Sequence, residues 1–181
     1  TLVAGMYILQ TKNGPVFFAD TTVNVNPTAE EIAEITKLVA TAVRRFRVTP
    51  RVALLSYSNF GSSKGPDPKK MADAIKIIHD TQPTLAADGE IQANFALNND
   101  MIKEAFPFSD LKNGRVNTLI FPNLSAGNIA YKLMQEMGGI EAIGPLLLGM
   151  KKSFHILQLN CSVREIVNMT TIAVAEAQSK K

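Results

Sequence analysis

The chain holds one cysteine, Cys161, and two histidines, His79 and His155, among 181 residues, and no tryptophan. A single cysteine excludes an intrachain disulfide and suits a reducing compartment. One thiol and two distant imidazoles give no ligand spacing for a transition metal, and no His-Glu-x-x-His pattern or carboxylate cluster replaces them, so no metal site is expected. Long apolar runs are missing as well. None approaches the roughly 18 residues of a membrane span, and no charged-then-apolar leader opens the chain. Charge of one sign is scarce: the net charge is +3, too little without a clustered patch to point to nucleic acid. Thr1 in place of an initiator methionine marks a processed, cut or incompletely reported chain. The expectation is a soluble cytoplasmic fragment with neither nucleic-acid nor membrane partners.

What is present reads as an ordinary globular sequence. Apolar residues make up 46% and charged residues 19%, with length for a domain or a domain and a half. Val3 to Gln10 and Pro15 to Ala19 flank Lys12-Asn13-Gly14 and predict a hairpin. Thr28 and Glu31 form a capping-box pattern ahead of a helix carrying Ile35, Leu38, Val39, Ala42 and Phe46. The basic residues Arg44, Arg45 and Arg47 close it, complementing the helix dipole. Arg51 to Ser56 and Val116 to Phe121 read as buried strands. Leu146 to Leu148 and Phe154 to Leu157 read as further short ones. Helices are predicted from Pro68, over Ser125 to Met137, and from Ser162 to Gln178, the last with a capping box of Ser162 and Glu165. Strands alternating with helices predict an α/β layered domain whose sheet is mixed but mainly parallel.

Two of the buried strands run into small polar loops, one with Ser58 and Asn59, the other with Asn123, Ser125, Gly127 and Asn128. Ligands of open α/β sheets gather at such strand ends. The second loop also enters a helix, whose first amides suit an anion, and Lys132 lies one turn on. Cys161 stands at a predicted helix start but has no partnering base.

Several segments carry a family resemblance. Asp88-Gly-Glu-Ile-Gln92, Ile120 to Lys132, Ile143 to Gly149, Cys161 to Val167 and Ser56 to Ser62 resemble the phosphate acetyltransferase family. Gly14 to Asn24 with Pro27 to Glu31 is similar, more narrowly, to the phosphotransacetylase-like C-terminal domain of bacterial NADP-dependent malic enzymes. The resemblance implies a three-layer α/β/α sandwich of the isocitrate and isopropylmalate dehydrogenase type. It implies that residues 1–157 form the second subdomain of such a unit, and that 158–181 is a closing helical segment returning to a missing first subdomain.

Active members use a Ser-Arg-Gly-Cys-Ser segment and a following Asp as base. Alignment on Cys161-Ser162 places Gln158 at the serine, Leu159 at the arginine, Asn160 at the glycine and Glu165 at the Asp. Leu159 supplies neither charge nor donors to an acyl phosphate transition state, so no catalytic residues are expected. An acyl-CoA cleft is expected at Ser58, Asn59, Asn123, Ser125, Gly127, Asn128, Lys132, Gln158, Asn160, Cys161 and Ser162. The reading is a regulatory unit that takes acetyl-CoA as effector and forms homo-oligomers. It would be joined to an N-terminal malic enzyme domain, which alone would hold NADP and a divalent metal. The alternative is a divergent phosphate acetyltransferase or butyryltransferase cut to its C-terminal half.

Overall fold

A computed structural model describes residues 2–159 and 161–179. The hairpin forms as expected: β1 (Ala4–Thr11) pairs antiparallel with β2 (Gly14–Ala19). α1 (Ala29–Arg45) starts at a complete capping box, with the Thr28 hydroxyl taking the Glu31 amide and the Glu31 carboxylate taking the Thr28 amide. Its apolar stripe buries Ile32, Ile35, Val39 and Val43, each contributing about 1.5–3 kcal/mol.

β3 (Arg51–Leu55), α2 (Pro66–Thr81) and β4 (Ala86–Ile91) follow. Two short helices, α3 (Ala93–Ala96) and α4 (Asn99–Ala105), and a 3-10 turn at Asp110–Asn113 lead to β5 (Thr118–Ile120). α5 (Leu124–Gly138), β6 (Glu141–Leu148) and α6 (Val163–Ser179) complete the chain.

Among the described residues six strands form one sheet in the order β4-β3-β5-β2-β1-β6. β2, β3, β4 and β5 run parallel, while β1 is antiparallel to both β2 and β6. Alternate side chains sort onto the two faces. Met6, Phe17, Val52, Leu54 and Ile120 pack under α1, α2 and α6. Leu9, Phe18, Ala53, Leu55 and Leu119 pack under α3, α4, the 3-10 turn and α5. The architecture is therefore the three-layer α/β/α sandwich.

Two sequence expectations change. Phe154 to Leu157 is not a strand. Gly149 turns the chain off β6 at φ +85°, where an added Cβ would lie 2.2 Å from the Leu2 carbonyl oxygen, a conformation and a fit open only to glycine. The residues beyond it lie along the sheet edge with Phe154, Ile156 and Leu157 facing outward. α5 begins at Leu124, capped by the Asn123 side chain on the Ala126 amide, so Asn123 rather than Ser125 ends the loop. β4 was hidden by its sequence, since Asp88-Gly89-Glu90 interrupts the alternation of a strand.

Candidate functional site

Because β2, β3, β4 and β5 are parallel, their carboxyl ends share one edge of the sheet. The β2 end is held by Asp20, which is buried. One carboxylate oxygen accepts the amides of Gly5 (3.2 Å), Thr22 (2.8 Å) and Val23 (3.0 Å), and the other accepts that of Asn24 (3.0 Å). α5 closes on this loop: Asn128 donates its side-chain amide to the Thr21 carbonyl at 3.2 Å. Gly127 lies so near the Asp20 carbonyl that a Cβ would come within 2.4 Å of its oxygen. The α5 amides are largely used within the protein, Leu124 on Val25, Ala126 on Asn123 Oδ1 and Gly127 on the Asn123 carbonyl. Gly127 and Asn128 thus fasten a helix to a loop, and little of the helix start is left for an anion. Ser125 is exposed at the same turn.

Ser58 and Asn59 are fasteners too. The fully buried Ser58 hydroxyl donates to Glu90 Oε1 at 2.8 Å and accepts the Ser63 amide at 3.0 Å. Asn59 Oδ1 accepts the Gln92 amide at 2.8 Å. Together they tie the loop after β3 to the end of β4, which is a different role from the ligand contact expected of them. Of the loop residues expected from sequence to meet a ligand, Asn123 reaches an open crevice of about 300 Å³, shared with Ser56, Tyr57, Asp67 and Phe121. Asp67 there pairs with Lys70 at 3.2 Å, so the crevice presents a carboxylate.

The second crevice, about 40 Å³, gathers four residues singled out by sequence: Lys132, Gln158, Cys161 and Glu165. Its other walls include two that sequence reasoning missed, Tyr7 and Tyr131. Their rings stack at 4.0 Å between centroids, 17° from parallel. Burial first, and then the neighbouring Tyr131 hydroxyl, drives the Tyr7 phenol far above its usual range. It stays protonated and accepts a hydrogen bond from Gln158 Nε2 at 3.4 Å. The signal available in the sequence was a tyrosine inside an apolar strand, whose hydroxyl needs a partner when buried.

Glu165 is committed locally. Its Oε2 accepts both the Ser162 amide (2.6 Å) and the Ser162 hydroxyl (2.8 Å), and Ser162 Oγ accepts the Glu165 amide at 3.2 Å. The Ser162 amide first, then its hydroxyl, holds the Glu165 carboxyl below the ordinary carboxylate range. Leu159 is fully exposed and brings no charge. Asn160 lies outside the described residues. Among the described residues no cluster of His, Cys, Asp and Glu is placed to hold a metal ion, and no helix is long and apolar enough to cross a membrane.

Comparison with known proteins accounts for this arrangement. The family profile "Phosphate acetyl/butaryl transferase" matches residues 1–174. The NADP-dependent malic enzyme of Haemophilus influenzae is 45% identical over 98% of this chain, which spans 23% of that protein. The phosphate acetyltransferase of Bacillus subtilis is 36% identical over 96% of this chain and 54% of its own length. The crystal structure of a phosphotransacetylase from Streptococcus pyogenes superposes with a TM-score of 0.93 at 35% identity, covering 99% of this chain and 55% of that one. The chain thus spans about half of these acyltransferases and under a quarter of the malic enzyme. With the family profile matching residues 1–174 and the fold superposing on a phosphotransacetylase, the chain is a member of the phosphate acetyl/butaryl transferase family.

Proposed function

We propose that this chain is a regulatory unit of a malic enzyme, binding acetyl-CoA without transferring its acyl group. The observation that carries the reading is the Gln158–Glu165 segment. An exposed Leu159 stands where the family resemblance calls for an arginine, and the aligned acid is locked into a helix cap. A developing oxyanion there would meet no cation at position 159, and Arg164 of the same segment is paired with Glu141 at 2.8 Å.

Residues 1–157 are then the second subdomain, and 158–181 the segment that returns to the first. The exposed Val163, Ile166 and Val167 on α6 suit packing against that other half. The small crevice admits only the thioester end of the ligand, with Lys132 and the Gln158 amide as polar contacts and the stacked tyrosines as a floor. The remainder of CoA would lie along the first subdomain. Regulation requires acetyl-CoA to bind one arrangement of the assembly better than another. NADP and a divalent metal belong, in this reading, to an N-terminal malic domain.

The test is malate oxidation by the longer protein that contains this chain, titrated with acetyl-CoA, before and after deletion of residues 1–181. A response that vanishes with the deletion supports the reading, and an identical response refutes it. The likeness to acyltransferases of known structure favours a second reading, a divergent phosphate acetyltransferase or butyryltransferase. Turnover of acetyl phosphate and CoA by the unaltered longer protein would establish it. Turnover that appears only after Gln158→Ser with Leu159→Arg would instead confirm that catalysis was lost at these positions.

A further inference from the structure

Ten residues without regular structure, 149–158, connect β6 to the crevice. Most of this segment faces outward: Phe154, Ile156 and Leu157 are 56%, 49% and 41% exposed. His155 does the reverse, its side chain only 4% exposed. Its Nδ1 accepts the amide of Leu147 at 3.2 Å. β6 is an edge strand of the sheet, so this bond satisfies a ladder donor on the side that has no neighbouring strand. An Nδ1 that accepts requires the proton on Nε2. Nε2 lies 3.2 Å from Glu176 Oε2 and 3.3 Å from Ser153 Oγ, and the Ser153 hydroxyl donates to Glu176 at 3.0 Å. Arg45 of α1 approaches the other Glu176 oxygen at 3.8 Å. One imidazole therefore joins the sheet edge, α6 and α1 to the segment, three residues before Gln158.

We propose that His155 is a positioning residue of the crevice. By docking residues 153–158 on the β6 edge through Leu147, it fixes where Gln158 meets Tyr7 and where Cys161 lines the wall. The arrangement requires the bond at Nδ1, because the contact at Nε2 only ties the segment to a helix that is itself anchored elsewhere by Asn168 and Arg164 on Glu141. The relevance to acetyl-CoA rests on the proposed function, but the geometry is measurable without it.

Cys161 is the chain's single thiol and half-buried in the crevice, so its alkylation rate with iodoacetamide reports the crevice directly. His155→Asn keeps an acceptor at the Nδ1 position, whereas His155→Gln keeps a donor near Nε2 and loses that acceptor. The thiol of the Asn variant is expected to react within about twofold of wild type. The Gln and Ala variants are expected to react at least about fivefold faster, as when an ordered segment opens locally. Imidazole nitrogen shifts of the wild type should show the Nε2–H tautomer. Equal rates in all four proteins overturn the proposal. So does a uniform rise in all three variants that tracks their loss of thermal stability, since that is a packing role. Acetyl-CoA titration of the same proteins is read separately. Failure of the wild type to bind removes the effector reading, while the alkylation ranking still decides the role of His155.

Discussion

The backbone of Gly127 in α5 rests against the carbonyl oxygen of Asp20, leaving no room for a single added carbon. The contact seats the helix on the loop that ends β2. Gly127→Ala forces the two apart and is expected to cost about 1–3 kcal/mol, as overpacking does. Urea unfolding measures it. A midpoint unchanged from wild type would show that the helix start shifts freely.

Asp20 itself organises the loop through four backbone amides. Asp20→Ala leaves the buried Gly5 amide and three partly buried amides without their acceptor, a loss of about 3 kcal/mol. Asp20→Asn retains the oxygen that takes three of them, so it should fall between Ala and wild type. Equal destabilisation by both substitutions would mean that the charge, not the acceptor geometry, holds the loop.

The cap of α6 should respond to acid. Glu165 titrates below its usual range when folded, chiefly through the Ser162 amide. Its contribution is therefore complete above the unfolded carboxylate value of about 4.3 and is lost as pH falls through the lower folded one. Glu165 is little buried, so the effect is screened and amounts to under about 1 kcal/mol. The stability gap between wild type and Glu165→Gln should be constant at neutral pH and close as pH falls below the ordinary carboxylate range. A gap that widens on acidification would contradict the capping geometry.

If acetyl-CoA binds as proposed, Lys132 at the crevice mouth is its nearest cation in α5. Lys132→Ala is expected to weaken binding by about 1–3 kcal/mol, the scale of a charge-assisted hydrogen bond. Titration calorimetry with equal affinities at low and moderate salt would remove Lys132 from the site.

Much of the fold was legible because its cues are local. The hairpin turn at Asn13-Gly14, the capping box of Thr28 with Glu31 and that of Ser162 with Glu165 all stand in the structure as read. β4 was not legible, because the residues that break its alternation make long-range contacts: Glu90 turns inward to receive Ser58 and Gly61. The same reason separates the site residues. Lys132, Gln158, Cys161 and Glu165 meet in one crevice. Ser58, Asn59, Gly127 and Asn128 carry the polar or small side chains of a binding loop but use them on neighbouring backbone or carboxylate. Composition does not distinguish a hydrogen bond offered to a ligand from one offered to the next loop. Tyr7 went unnoticed because its partner, Tyr131, lies 124 positions away.

The strand order also governs how such a chain can assemble during synthesis. The two strands that open this stretch of sequence lie in the interior of the sheet: β2 pairs with Thr118–Ile120, and β1 with Glu141–Leu148. Within this stretch the hairpin, marginal by itself, gains no further strand partner until about a hundred more residues have followed. The unit of β3, α2 and β4 is contiguous in sequence and packs on itself, so nucleation is expected there. With its long-range pairings made last, the protein is expected to fold slowly for its size and to depend on shielding of that hairpin.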